Sequence, residues 1–315
     1  MNTQANTVAQ SAQDPQAAAP AAMSTTRPMY WSVRRELWEN RSIHIAPLAV
    51  AALAMLGFLV SLVYLPQGVR ELAALHAANQ RATLAQPYSH VGWLLGLTAI
   101  LVGVFYCLDA LHGERRDRSI LFWKSLPVSD LTTVLSKATI PFVVLPLIAF
   151  VIAVPLQWIM LLLSTVVLLL SGEDAWTSWA QLPVIQVQLG LLYGLVVMTL
   201  WYAPIYGWLM LVSGWARRAT FLWAVLPPLT IVVAERIAFH TWYLGFLLKD
   251  RLIGFSAVAF DLKPQGGVPV DAHFIPLTQF TPGRFLSTPG LWIGLGFAAV
   301  FLTAAVRLRR HREPV

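Results

Sequence analysis

The chain has 315 residues, 57% of them hydrophobic and only 12% charged, with 22 Lys and Arg against 15 Asp and Glu for a net charge of +7. Ordinary soluble domains carry about twice that share of charged residues, so this composition excludes a soluble globular protein. The excess of positive charge is read as asymmetric loops on a membrane protein, which points to anionic lipid and away from nucleic acid.

Residues 1–26 are rich in Ala, Gln, Ser and Thr, contain no Lys or Arg and have no apolar core segment. This is the pattern of a disordered tail and not of a secretory signal. Met23 and Met29 stand close to the first structured segment, so an alternative start there is one reading of the tail.

Residues 27–43 form an expected interfacial helix. On a helical wheel Tyr30, Trp31, Val33, Leu37 and Trp38 share one side, and Ser32, Arg35, Glu36, Glu39 and Asn40 the other. Arg34 and Arg41 fall within the apolar side, where their heads must snorkel or pair.

A bilayer-crossing helix needs about 20 mostly apolar residues. Charge-free runs place six of them within residues 44–306: near Ile45 to Leu65, near Val91 to Leu108, between Lys137 and Glu173, near Val184 to Val212, between Arg218 and Glu235, and between Arg284 and Arg307. The third is expected to start early, with Ser129 as N-cap and Asp130 in the first turn, and to run through Lys137. Pro141, Pro146, Pro155, Pro204, Pro227 and Pro228 interrupt the ladders and predict kinks. Ile237 to Leu248 is too short to span and reads as a re-entrant or surface-lying helix. Six crossings leave both termini on one side, together with most of the basic residues, including Arg115, Arg116, Lys124 and the 307–315 tail. The positive-inside rule makes that side cytoplasmic. The expected architecture is thus an all-α integral membrane protein with six transmembrane helices in a cell membrane.

No HExxH, GxSxG, CxxC or GxxxxGK[ST] occurs, and no two of the seven histidines stand at i, i+4. No metal site is predicted. Cys107 lies in an apolar run and reads as a buried thiol. Ser213-Gly214 reads as small-residue helix packing sooner than as a nucleophile.

The most informative stretch is residues 109–140. Glu114, Arg115, Arg116 and Arg118 precede the apolar run Ile120 to Trp123, and Pro127 ends the helix; Ser125 to Ser129 and Lys137 follow. An amphipathic helix that presents both charge and large aromatics follows from this pattern, with headgroup anchoring by Phe122 and Trp123 as the alternative. Together with the six-span plan, this stretch resembles the permease subunits of the ABC-2 transporter family. The resemblance departs from the family pattern at Arg118, where many members have Gly. It implies an exporter subunit that is not itself catalytic, with Glu114, Arg115, Arg116, Arg118, Phe122, Trp123 and Pro127 as a coupling helix on a separate ATPase subunit present in two copies. It further implies a second permease, as homo- or heterodimer, and ATP with Mg on the partner. Two other readings stand beside it: a membrane scaffold or sensor, and an integral-membrane enzyme acting on lipid-borne substrates.

Glu235 and Arg236, at the end of the fifth run, are ionisable residues at the membrane edge. They are either a candidate outer gate or an interface marker. The transported substrate is not legible.

Overall fold

The computed structural model describes residues 26–72, 77–117, 129–172, 182–260 and 279–311. Among these are six helices long and apolar enough to cross a membrane: Ser42–Arg70, Thr83–Arg116, Asp130–Leu170, Val184–Trp215, Thr220–Phe239 and Pro289–His311. They coincide with the six charge-free runs, because in hydrocarbon only a helix satisfies every backbone donor and acceptor within its own segment.

An N-terminal helix, Thr26–Glu39, precedes the first span. The third span begins as expected: Ser129 has extended backbone geometry, and its Oγ accepts from the Thr132 amide at 3.1 Å. Lys137 lies inside that helix and is buried. A π-helical stretch, Ile140–Val144, follows before the helix resumes at Leu145–Leu170. A proline at position 146 removes one amide and crowds the carbonyl four residues earlier. The wider π turn relieves that conflict, and the span continues without a break.

Helix packing follows the small residues. The fourth and sixth spans run against each other, and at Gly207 a Cβ would stand 3.2 Å from backbone atoms of Ala298. Close backbone approach of this kind replaces the hydrophobic drive that lipid does not supply between membrane helices. Cys107 is fully buried.

The stretch from Ile237 to Leu248 is not one element. The fifth span ends at Phe239, His240 turns with φ of 52°, and a new helix runs over Tyr243–Ile253. Two short helices, Phe255–Ala259 and Pro282–Ser287, lead into the sixth span.

Candidate functional site

The second, third and fourth spans line a partly open cleft with a cavity volume of about 70 Å³. Four glycines make the room, Gly92 and Gly96 on the second span and Gly190 and Gly194 on the fourth. Each pair has i, i+4 spacing, which puts both members on one helix face. A Cβ on Gly92 would stand 3.0 Å from Leu191, and one on Gly190 would stand 3.1 Å from Phe280. A Cβ on Gly194 would meet nothing within 4 Å, so that glycine borders open space.

Aromatic side chains close the cleft. Phe255, Phe260 and Phe280 line it from the segment between the fifth and sixth spans, and Trp93 faces Phe255 at 6.0 Å between ring centroids. Tyr193, on the fourth span, anchors this cover. Its ring stacks on Phe280 at 5.1 Å and 19°, meets Phe260 edge-on at 5.4 Å, and its hydroxyl donates to the Ala259 carbonyl at 3.1 Å. The Thr281 amide donates to the same carbonyl at 3.1 Å, which ties the two sides of the cover together.

Among the described residues, the polar side chains lining this space, apart from the Trp93 indole, are Ser89, Gln157 and Gln186. Gln157 is 1% exposed. Its Nε2 donates to the Tyr88 carbonyl at 3.0 Å, which fixes the amide orientation because a carbonyl accepts only from the N–H end. Its Oε1 is buried without a hydrogen-bond partner. The Ser89 hydroxyl is already donated to the Ala85 carbonyl at 3.0 Å. A mostly apolar lining with a few fixed polar atoms is the usual composition of a small-molecule site, and this cavity is smaller than most such sites, so a ligand must extend beyond it.

A second constellation lies at the end of the bundle where the N-terminal helix packs. Along the second span, ten residues separate Gly96 from Tyr106, about 15 Å of helix. There Lys137 Nζ is 2.8 Å from Glu36 Oε1 and 3.3 Å from Glu114 Oε1. Arg309 Nη2 is 3.1 Å from Glu114 Oε2, and its Nη1 is 2.8 Å from Asp130 Oδ1. Tyr106 donates to Glu36 Oε2 at 2.7 Å. Arg115 donates to the carbonyls of Ser213 and Ala216 at 2.9 and 2.6 Å. The Ser213 hydroxyl accepts from the Leu111 and His112 amides at 3.0 and 2.9 Å, so it caps the short helix His112–Arg116. Charges at this depth persist only when each has an opposite partner, and here the pairs link four helical segments into one unit.

This geometry corrects several sequence expectations. Glu114 and Arg115 are 6% and 4% exposed and point into the bundle, so they are not displayed for a docking partner. Arg116 is exposed, 3.2 Å from Asp117. Arg118, Phe122, Trp123 and Pro127 lie outside the described residues. Glu36, placed on the solvated side of the N-terminal helix by the wheel, is 2% exposed. It turns inward because Lys137 requires a counter-charge. Tyr30, Trp31 and Trp38 are exposed on that helix, with the Arg34 guanidinium 5.2 Å and 5.0 Å from the Trp31 and Trp38 rings.

Glu235 has a local role. Its carboxylate accepts from the Tyr243 and Leu244 amides at 2.7 and 2.9 Å and from the Thr241 hydroxyl at 2.9 Å, which caps the helix Tyr243–Ile253. Arg236 is exposed, donates to the His240 carbonyl at 3.2 Å and lies 5.8 Å from the Trp242 ring. From the same connecting helix, Arg251 stands 4.5 Å from the Trp201 ring centroid and donates to the Gly290 carbonyl at 2.7 Å. Burial pulls this guanidinium below its ordinary pKa, against the opposing effect of Asp250. Among the described residues, no three of His, Cys, Asp and Glu come together as a metal-binding group.

No protein-family profile matches the chain, and no solved structure does. Curated proteins do. The chain is 29% identical over 202 residues to a 4-hydroxybenzoate octaprenyltransferase of Xanthomonas oryzae pv. oryzae (strain PXO99A), covering 60% of each sequence. It is also 29% identical over 197 residues to the enzyme of that name from Xanthomonas campestris pv. campestris (strain B100), again over 60% of each. The chain thus spans about three fifths of the length of the curated relatives it matches. These similarities are to an enzyme. They overturn the ABC-2 permease resemblance and, with it, the exporter function, the non-catalytic assignment, the two-copy ATPase partner and the second permease. The resemblance rested on a stretch of about thirty residues, part of which the structure turns inward as the ionic cluster around Glu114.

Proposed function

We propose that the chain is a membrane-integral enzyme of the prenyltransferase kind, acting on a lipid-linked substrate in the cleft between the second, third and fourth spans. The similarity to 4-hydroxybenzoate octaprenyltransferases carries the reading. The cleft supports it: an apolar wall, glycine-made space and an aromatic cover suit an isoprenoid chain entering from the bilayer. Prenyl transfer breaks the bond between an allylic carbon and a diphosphate oxygen, joins that carbon to the acceptor in place of a proton, and releases diphosphate and that proton. The cleft contributes an apolar surface for part of the isoprenoid chain.

The charge distribution supports placing both termini in the cytoplasm. In that orientation the N-terminal helix lies in the headgroup region, with Trp31 and Trp38 toward lipid and Arg34 between them.

The test uses the purified chain in lipid nanodiscs, supplied with octaprenyl diphosphate, 4-hydroxybenzoate and Mg²⁺ as counter-ion for the diphosphate. The expected result is a prenylated aromatic acid detected by mass spectrometry. No product from this donor, or from donors of shorter chain, under conditions where an authentic octaprenyltransferase is active would overturn the proposal.

A further inference from the structure

The outer surface of the bundle carries an open groove between the first and third spans, with a volume of about 410 Å³. We propose that this groove binds an anionic phospholipid, with an acyl chain along the groove and the phosphate against Arg41 at its end. The groove lies apart from the cleft. Pro155 and Ile159, which line it, each stand two positions from Gln157 on the third span, about 160° around the helix. The proposal therefore stands whether or not the cleft is a substrate site.

Three observations carry it. First, the lining is apolar throughout, and short side chains make the space. Ala51 and Ala52 on the first span stand between Leu48 and Met55, opposite Pro155 and Ile159, so a trough remains where larger residues would close the contact. A trough of this kind in a bilayer is filled by hydrocarbon, because an empty one forfeits dispersion contacts on both walls.

Second, the stripe that forms the groove ends in charge. Counted from Arg41, the groove residues Leu48, Ala51, Ala52 and Met55 stand at i+7, i+10, i+11 and i+14, and the exposed His44 stands at i+3, all on one helix face. Arg41 has helical backbone geometry, and its carbonyl accepts from the Ile45 amide at 3.0 Å, so the stripe is continuous across the start of the span. At 1.5 Å per residue the groove runs from about 10 Å to about 21 Å beyond Arg41. Acyl carbons lie at those distances from their phosphate in one leaflet of a bilayer whose hydrocarbon core is about 30 Å thick. The exposed Trp31 and Trp38, on either side of Arg34 in the preceding helix, fit the same headgroup level.

Third, Arg41 is exposed and pairs with no carboxylate of the described residues. The two acidic residues of the preceding helix are committed elsewhere, Glu36 to Lys137 and Glu39 to Arg35. A guanidinium presents a fork of donors that matches phosphate oxygens. A headgroup of net negative charge is favoured, because the amine of a zwitterionic lipid offsets the phosphate that Arg41 attracts.

The test is native mass spectrometry of the full chain, released from detergent micelles that contain phosphatidylglycerol or phosphatidylcholine with the same acyl chains. The expected result is one retained phosphatidylglycerol, held about fivefold more tightly than phosphatidylcholine, the effect of one arginine beside an anionic headgroup. In Arg41→Gln the preference should fall to within about twofold, and in Arg41→Lys it should persist. Ala52→Phe, which sets a ring into the groove from an exposed position, should weaken both lipids by about tenfold, the worth of roughly two buried methylenes, and leave their ratio unchanged.

Equal retention of the two lipids by the wild-type protein overturns the proposal, as does a preference that survives in Arg41→Gln or binding that Ala52→Phe leaves intact. A dimer that Ala52→Phe dissolves would assign the groove to a second copy of the chain, and displacement of phosphatidylglycerol by equimolar geranylgeraniol would assign it to an isoprenoid; either result overturns the lipid site. Should one variant fail to fold, the wild-type ratio and the other variant decide.

Discussion

Gly194→Leu separates occupancy of the cleft from stability of the fold. A Cβ built at this glycine meets no atom within 4 Å, so the new side chain starts into open space bordering the cleft. The glycine sits inside the helix Val184–Trp215. There it costs about 0.8–1.0 kcal/mol relative to alanine, and leucine is nearly as good a helix former as alanine. The variant should therefore unfold at the same temperature as the wild type or a few degrees higher. The ligand pays instead. The added carbons occupy space that three or four carbons of a bound isoprenoid would fill, and each buried methylene is worth about 0.8 kcal/mol. A loss of about 2–3 kcal/mol follows, or roughly 30- to 150-fold in affinity. The assay is the prenyl-transfer rate as a function of donor concentration, beside a thermal melt of the same preparation. A folded Gly194→Leu protein with the wild-type dependence on donor concentration would refute the assignment of the cleft. Gly190→Leu is the contrasting case: its Cβ would lie 3.1 Å from Phe280, so the aromatic cover must shift and stability should fall along with activity.

Lys137→Met should destabilise by about 3–5 kcal/mol, because Glu36 loses its cation in a buried site; loss of the monodisperse peak in fluorescence-detected size-exclusion chromatography checks it. Adding Glu36→Gln to that variant should recover part of the loss, and a double variant as unstable as the single would show that Glu36 does not depend on Lys137. Glu235→Gln should lower stability by about 0.5–2 kcal/mol as a weakened helix cap and leave the transfer rate within about twofold of wild type, measured by paired melts and rate assays. Gly207→Val should cost about 1–3 kcal/mol, since the new methyl groups press on the Ala298 backbone; a melt unchanged from wild type would contradict the packing described for the fourth and sixth spans.

The spans were legible because their signal is long and one-dimensional: a charge-free run between charged residues needs no partner to be read. The cap at Ser129 was legible for the same reason, since the hydroxyl and the amide it accepts from are three residues apart. What escaped depends on residues distant in sequence. Glu36 counted as a polar-face residue on its own helix, and only Lys137, 101 positions away, shows why it turns inward. A lysine inside an apolar span was itself the signal, for it demands a carboxylate at the same depth. The cleft was foreshadowed by two glycine pairs at i, i+4 and by one glutamine within the third span, features common in membrane helices for packing alone. The stretch from Glu114 to Lys137 misled because charge followed by aromatics suits a docking surface, whereas Glu114 and Arg115 are spent on internal partners. Glu235 stood out as an ionisable residue at the membrane edge, and its three hydrogen bonds to residues 241–244 explain it locally.

The central claim is that an isoprenoid chain occupies the space between the second, third and fourth spans. Photo-cross-linking tests it most directly: a geranylgeranyl diphosphate analogue with a diazirine on its chain is irradiated with the purified protein in nanodiscs, and the labelled peptides are mapped by mass spectrometry. The account predicts labels on Trp93, Leu195 or Met198, protected by excess unlabelled donor and absent in Gly194→Leu. Protectable labelling confined to the lipid-facing first or fifth span, with none in the cleft, would contradict it.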